Sequence, residues 1–123
     1  MKILSFDHNV PIYLQLVQQI LFRIVSGDLS PGERVLSVRE WALREQVNPN
    51  TMQKALSELE VMGLIVTERT NGKYVTSDPE LINACKKREA HKIANRFFDQ
   101  MSKIGLDRSD ALAMLENMKG END

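Results

Sequence analysis

Cysteine is nearly absent from this chain: Cys85 stands alone among 123 residues. A single cysteine excludes an intrachain disulfide and any multi-cysteine zinc site, and it fits a reducing, cytoplasmic setting. Long apolar runs are missing as well. The longest unbroken stretch of apolar residues and glycine covers 61–66, far short of the roughly 18 residues of a membrane helix. The first six residues reach Asp7 and His8 too soon to form the apolar region of a signal peptide. No sign of charge is in excess, with 16 Lys and Arg against 17 Asp and Glu. Residues 1–77 hold eight of each, and residues 78–123 hold eight basic and nine acidic. A nucleic-acid surface must therefore come from the placement of charge rather than from surplus.

Catalytic patterns are also missing. His8 and His91 fall in different segments with no ligand spacing between them, and the stretch from Gly27 to Gly32 lacks a phosphate-loop pattern. No Ser-His-Asp set or carboxylate pair emerges. The expectation is a chain that is not an enzyme and that has no metal and no cofactor. What is present, 42% hydrophobic and 27% charged residues, describes an ordinary globular chain. Its length suits one small domain with an appendage.

Punctuation divides the chain. Pro11 opens a helical pattern that ends at Gly27, with Ile12, Leu16, Ile20 and Ile24 recurring every four residues and Val17 and Leu21 widening the face. Ser30-Pro31-Gly32 marks a turn. Ser37 and Glu40 have capping-box spacing and start a short helix anchored by Val38, Trp41, Ala42 and Val47. Asn48-Pro49 supplies an N-cap and a first-turn proline for a third helix, whose apolar stripe is Met52, Ala55, Leu56, Leu59 and Met62. Gly63 closes it. Leu64-Ile65-Val66-Thr67 and Tyr74-Val75-Thr76 then switch to a strand pattern around Asn71-Gly72, which predicts a hairpin with a two-residue type I′ turn. Asp78-Pro79-Glu80 begins a long helix to Gly105, and a shorter one follows over about 107–118. Residues 120–123 read as a frayed tail.

Helix, helix, turn, helix, hairpin is the order of a winged helix-turn-helix. The expected class is mainly α (α+β), with a winged helix-turn-helix DNA-binding domain over 1–77 and a two-helix dimerisation segment over 78–123. In that fold the third helix puts its N-terminal residues into the major groove. Opposite the apolar stripe stand Asn50, Thr51, Gln53, Lys54 and Ser57, side chains suited to base edges or phosphate oxygens. A merely solvated helix face would look similar. The stretch from Val47 to Ser57, however, contains no acid; Glu58 and Glu60 come later. Arg39, in the first turn of the second helix, is a candidate phosphate or guanine contact, against the alternative of pairing with Glu40 or Glu45. Asn71, Gly72 and Lys73, with Thr70 and Arg69 beside them, would form the wing tip; the alternative is an ordinary surface turn.

These motifs carry a resemblance. Pro11-Ile12-Tyr13-Leu14-Gln15, the stretch from Gly27 to Gly32, Ser37-Val38-Arg39-Glu40, Val47-Asn48-Pro49-Asn50-Thr51, Ala55-Leu56 with Leu59, and Gly63-Leu64-Ile65 together resemble the GntR family of bacterial transcription regulators over about residues 10–77. The opening of the third helix is most similar to the YtrA subfamily, which has a short two-helix C-terminal dimerisation segment. The resemblance implies a cytoplasmic homodimer, commonly a repressor, often of operons for membrane transporters. It places DNA contacts at Arg39, Asn50, Thr51, Gln53 and the wing at Gly72. The family's usual Leu-Pro-Ser is Val35-Leu36-Ser37 here, and its usual Gly-x-Gly wing is Thr70-Asn71-Gly72.

The two C-terminal helices carry more apolar surface than a small winged domain covers. Phe97, Phe98, Met101, Ile104, Leu112 and Leu115, with Met114 and Met118, need a partner surface. Two-fold pairing with a second copy is the economical answer; packing against the first helix is the alternative. The basic run Lys86-Lys87-Arg88 with Lys92 and Arg96 reads as a solvated face. Double-stranded operator DNA and a second copy are the expected partners, a membrane is not, and a small effector in the Met-rich segment is left open. A winged-helix module for protein–protein assembly, without a specific DNA site, is the alternative function.

Overall fold

The computed structural model describes residues 9–69 and 71–121. Residues 1–8, Thr70 and residues 122–123 lie outside that description, and with them His8, the first residue of the expected wing tip and the last part of the expected tail.

Helix α1 (Ile12–Val25) starts after Pro11, whose carbonyl accepts hydrogen bonds from the N–H groups of Leu14 and Gln15. It buries Leu16, Ile20, Leu21 and Ile24 almost completely. Ile12, expected on that face, is instead 45% exposed, because the first turn projects beyond the core. Helix α2 (Val38–Glu45) has the expected capping box: Ser37 Oγ accepts from the Glu40 N–H at 3.1 Å, and the Glu40 carboxylate accepts from the Ser37 N–H at 3.2 Å. These two reciprocal hydrogen bonds fix the approach to α2, where the family's proline is replaced by Leu36. Trp41 and Ala42 anchor the helix in the core, and Leu36, Val38 and Val47 pack around it.

The link from α2 to α3 depends on Gln46. It adopts φ 58° and ψ 47°, the left-handed conformation, and its N–H bonds back to the carbonyls of α2. This reverses the chain within two residues. Asn48 then caps α3 (Pro49–Val61), its Oδ1 accepting from the Asn50 N–H at 2.7 Å. Met52, Ala55, Leu56 and Leu59 are fully buried. At about 1.5–3 kcal/mol for each large side chain, this stripe is a major part of the domain's hydrophobic stabilisation.

Gly63, at φ +82°, turns the chain into a hairpin of β1 (Ile65–Glu68) and β2 (Gly72–Val75). The antiparallel register runs from Ile65 opposite Val75 to Glu68 opposite Gly72. The hairpin stands, but its turn differs from the expected one. Residues 69–71 form the connection, and Gly72 is already paired in the ladder rather than sitting inside a two-residue turn. A distant segment also joins the sheet. Residues 33–35 run along the free edge of β2, with the Val75 N–H donating to Glu33 O at 2.8 Å and the Val35 N–H to Lys73 O at 3.0 Å. Arg34 pairs with Tyr74 there. β2 is thus paired on both edges over Lys73–Val75 and with β1 alone at Gly72.

The chain forms two compact units, one ending at Lys86 and the other starting at Lys87. The division falls inside α4 (Pro79–Lys103) rather than at the 77/78 boundary suggested by the punctuation, because Leu81, Ile82 and Cys85 join the core of the first unit. Asp78 caps α4 through the N–H groups of Glu80 and Leu81. In the second unit, the rest of α4 turns at Gly105 into α5 (Arg108–Glu121), which is capped by reciprocal bonds between Asp107 and Asp110. Helix α5 continues through Gly120, so the expected fraying does not begin there.

A β-branched side chain is strongly disfavoured at positive φ, whereas glycine is not. Gln46→Val should therefore lower unfolding stability by about 1 kcal/mol or more, and Gln46→Gly should leave it unchanged or slightly higher. Urea denaturation of the two variants checks this; equal midpoints would show that the turn is not held left-handed.

Candidate nucleic-acid interface

Burial of one side of α3 determines what the other side presents. Asn50, Gln53 and Lys54 are exposed, and Thr51 and Ser57 are half-buried. The face is pre-ordered. Gln53 Nε2 donates to Ser57 Oγ at 3.1 Å. The Lys54 ammonium sits over the ring of Tyr13, 4.0 Å from its centroid, a cation–π contact that ties α3 to the first turn of α1. Ile12, Tyr13, Asn50, Thr51 and Lys54 line one open groove at this end. The exposure of Ile12 is thus part of the same surface.

Arg39 is exposed in the first turn of α2. Of its two suggested acidic neighbours, Glu40 is engaged with Ser37, and those hydrogen bonds hold its carboxyl below the ordinary glutamate value. Glu45 is buried. Between α2 and the wing lies an open cleft of about 690 Å3, whose walls include Arg34, Ser37, Glu40, Arg69 and Gly72.

The wing departs from expectation at Lys73. Its ammonium reaches Thr67 Oγ at 3.0 Å and pairs with the carboxylate of Glu60 on α3. Thr67 also donates to Glu60. Lys73 is therefore a strut between wing and helix rather than a free cation at the tip. Alternation along β2 explains this, since Lys73 and Thr67 share the sheet face turned toward α3. Asn71 is exposed, and its carbonyl accepts from the Tyr74 hydroxyl at 3.0 Å. On the other face the Arg34 guanidinium covers Gly72. A Cβ at Gly72, which has φ +96°, would lie 3.3 Å from Nη2 and 3.4 Å from Nε.

Sequence reading missed the roles of Arg34 and Tyr13. Arg34 gave no local signal, because α2, α3 and β1 separate its segment from the strand it joins. Tyr13 lay within the apolar periodicity of α1, where only its phenol set it apart.

In the second unit, Phe97 and Phe98 are half-buried and meet edge-to-face at 5.3 Å. The Arg108 guanidinium lies 4.3 Å from the Phe98 ring centroid. Met101 is half-buried, whereas Leu112 and Leu115 are exposed and Ile104 is 73% exposed. Ala90, Ile93, Ala94, Phe97, Phe98 and Leu115 line an apolar groove. Among the described residues, no helix is long and apolar enough to cross a membrane, and no cluster of His, Cys, Asp and Glu could hold a metal ion.

A tight turn joining α2 to an α3 with an outward polar face, followed by a two-stranded wing, defines a winged helix-turn-helix of the DNA-binding class. The chain belongs to the GntR family: residues 12–75 match the family model for bacterial regulatory proteins, gntR family. It is 37% identical over 115 residues to a Bacillus subtilis (strain 168) protein described as the uncharacterized HTH-type transcriptional regulator YhcF, covering 94% of this chain and 93% of that one. The HTH-type transcriptional repressor YtrA of the same organism is 41% identical over 70 residues, covering 57% of this chain and 54% of that one. That similarity supports the YtrA-subfamily resemblance. A solved GntR family transcriptional regulator from Listeria monocytogenes has a TM-score of 0.82 at 38% identity, covering 91% of this chain and 98% of that one. The DNA-binding domain of AraR, solved in complex with operator ORE1, shares the fold with a TM-score of 0.53 at 24% identity, covering 62% of this chain and 93% of that one.

The strut makes the wing acid-sensitive. Partial burial of Glu60 pushes its carboxyl upward, but hydrogen bonds from Lys73 and Thr67 and the charge of Lys73 outweigh this and hold it below its ordinary value of 4.5. A depressed carboxylate stabilises the fold above the unfolded value and loses that contribution as pH falls through the native one. Glu60→Gln should cost about 0.5–1 kcal/mol at pH 7, a solvent-screened amount, and should flatten the decline in stability below pH 4.5. Thermal midpoints from pH 7 to 3 check this; parallel declines in wild type and variant would rule it out.

Proposed function

We propose that this GntR-family transcriptional regulator acts as a homodimeric repressor that binds an inverted-repeat operator through α3 and the wing. The observation that carries the reading is the polar face of α3 from Asn50 to Ser57, free of acids up to Glu58, held outward by a fully buried stripe and flanked by the wing. In this reading Asn50 and Gln53 read base edges, and Thr51 and Lys54 grip the backbone beside them. Arg39 contacts phosphate from the first turn of α2. Asn71 and Gly72 bring the wing backbone to the duplex, and Lys73 supports the wing through Glu60 rather than touching DNA.

The apolar groove on the second unit supports the dimer. Phe97, Phe98, Met101, Ile104, Leu112 and Leu115 would be covered by the same surface of a second copy, the self-complementary contact that a two-fold axis requires. Two recognition helices on one duplex then call for half-sites about 10 base pairs apart, or a multiple of that. The repressor sense follows the name of the YtrA relative. Operons for membrane transporters, as the family resemblance implies, are the expected targets, together with the chain's own promoter.

Selection of bound duplexes from a random pool tests the proposal and should return an inverted repeat. Asn50→Ala or Gln53→Ala should relax preference at one position per half-site, at about 1–3 kcal/mol. Unchanged affinity after combined substitution of Arg39, Asn50 and Lys54 would overturn the assignment of the surface. Recovery of no duplex, with a protein partner captured at physiological salt, would favour an assembly module instead.

A further inference from the structure

With Lys73 committed to Glu60, the outer face of the wing draws its positive charge from elsewhere. Arg34 precedes α2 in sequence but pairs with Tyr74 at the free edge of β2. In an antiparallel pair, side chains directly opposite share a face, and so does the residue two positions along. Arg34, Tyr74 and Gly72 therefore lie on one side of the sheet, away from the Lys73 strut. The guanidinium lies against Gly72, in space that any side chain at 72 would invade. Arg34 is exposed, and among the described residues no carboxylate comes within 4.0 Å of it; the ion pairs there are Arg23 with Asp28, Lys73 with Glu60 and Lys92 with Glu89. The acid that feels its charge, Glu40, is hydrogen-bonded to Ser37. Arg34 also lines the cleft between α2 and the wing, whose charged walls are Arg34, Arg69 and Lys73 with Glu40 and Glu68.

We propose that Arg34 is the phosphate-binding residue of the wing, its guanidinium held over Gly72 and directed at a backbone phosphate in the cleft between α2 and the wing tip. The inference rests on the DNA-binding reading above and extends it to a residue outside the recognition helix and the hairpin. A planar guanidinium can offer two parallel N–H groups to one phosphate. Contact of its Nε–Nη2 edge with the wing backbone at Gly72 restricts the side chain before binding, so less conformational freedom is lost when a phosphate docks.

The test uses the full chain, the duplex that the wild type selects from a random pool, and affinities measured from 0.1 to 1 M salt. Neutralising one phosphate contact contributes about 0.9 to the slope of log affinity against log salt. Arg34→Gln should lower that slope by about 0.9, weaken binding about fivefold at 0.15 M salt with the gap closing toward 1 M, and leave the selected sequence unchanged. Arg34→Lys should restore the slope. A loss of affinity in Arg34→Gln with the wild-type slope would assign Arg34 a structural role and overturn the proposal, as would a change in the selected bases. A wild type that selects no duplex would remove the DNA reading itself; a wild type that selects one while Arg34→Gln binds it identically would remove this proposal alone.

Discussion

The complete burial of Met52, Ala55, Leu56 and Leu59 is the constraint on which the rest of the molecule depends. A helix advances about 100° per residue, so an apolar stripe packed against α1, α2 and β1 fixes the rotation of α3 about its own axis. Asn50, Gln53 and Lys54 face outward because the stripe faces inward. The lengthwise position of α3 is set at its ends by the Asn48 cap after the left-handed Gln46 and by Gly63 before β1. Rotation and translation are both set before any ligand arrives, which is the condition for reading bases with side chains only a few ångströms long.

The wing is held from both of its faces. On one, Lys73 and Thr67 converge on Glu60 of α3, so the hairpin cannot swing without separating a partly buried ion pair. On the other, Arg34 lies on Gly72 while the backbone around it hydrogen-bonds to β2. A two-stranded hairpin alone is marginal in water. Here the third segment along its edge and the strut to α3 supply what the turn does not. The Tyr74 hydroxyl, bonded to the Asn71 carbonyl, extends the order toward the tip.

Local signals in the sequence reported local structure faithfully. Ser37 with Glu40, Asn48 before Pro49, and Asp78 before Pro79 each marked a helix start that the structure has, because a cap is decided within four residues. The apolar periodicity also identified most of the core, and the outward polar face of α3 followed from it. What escaped was set at long range. Asn71-Gly72 has the local preference for a two-residue turn, but Gly72 is paired with Glu68 of β1 in the ladder. Lys73 read as a tip cation because Glu60, 13 residues earlier, is a neighbour only in the folded chain. Arg34 carried no signal for the same reason. In the second unit, the excess of apolar side chains was legible in the spacing of α4 and α5.

Charge shows how a chain with a formal charge of −1 can present a basic surface. In the first unit the acids are largely occupied. Asp28 is paired with Arg23, Glu33 accepts the Ser30 N–H, Glu40 caps α2, Glu60 holds Lys73, and Glu45 is buried. Two of these, Glu33 and Glu40, bind backbone N–H groups and so consume no cation. Arg34, Arg39, Lys54 and Arg69 remain exposed, with Glu33, Glu40, Glu58 and Glu68 as the exposed acids near them. Such a surface has little reach. At physiological salt its field decays over about 8 Å, and the molecule as a whole adds no attraction beyond that. The on-rate gain that a strongly basic protein draws from steering is therefore small here, and affinity has to be made in the docked complex. That places the discriminating work on short, geometrically fixed contacts, which the buried stripe of α3 and the two-sided anchoring of the wing provide.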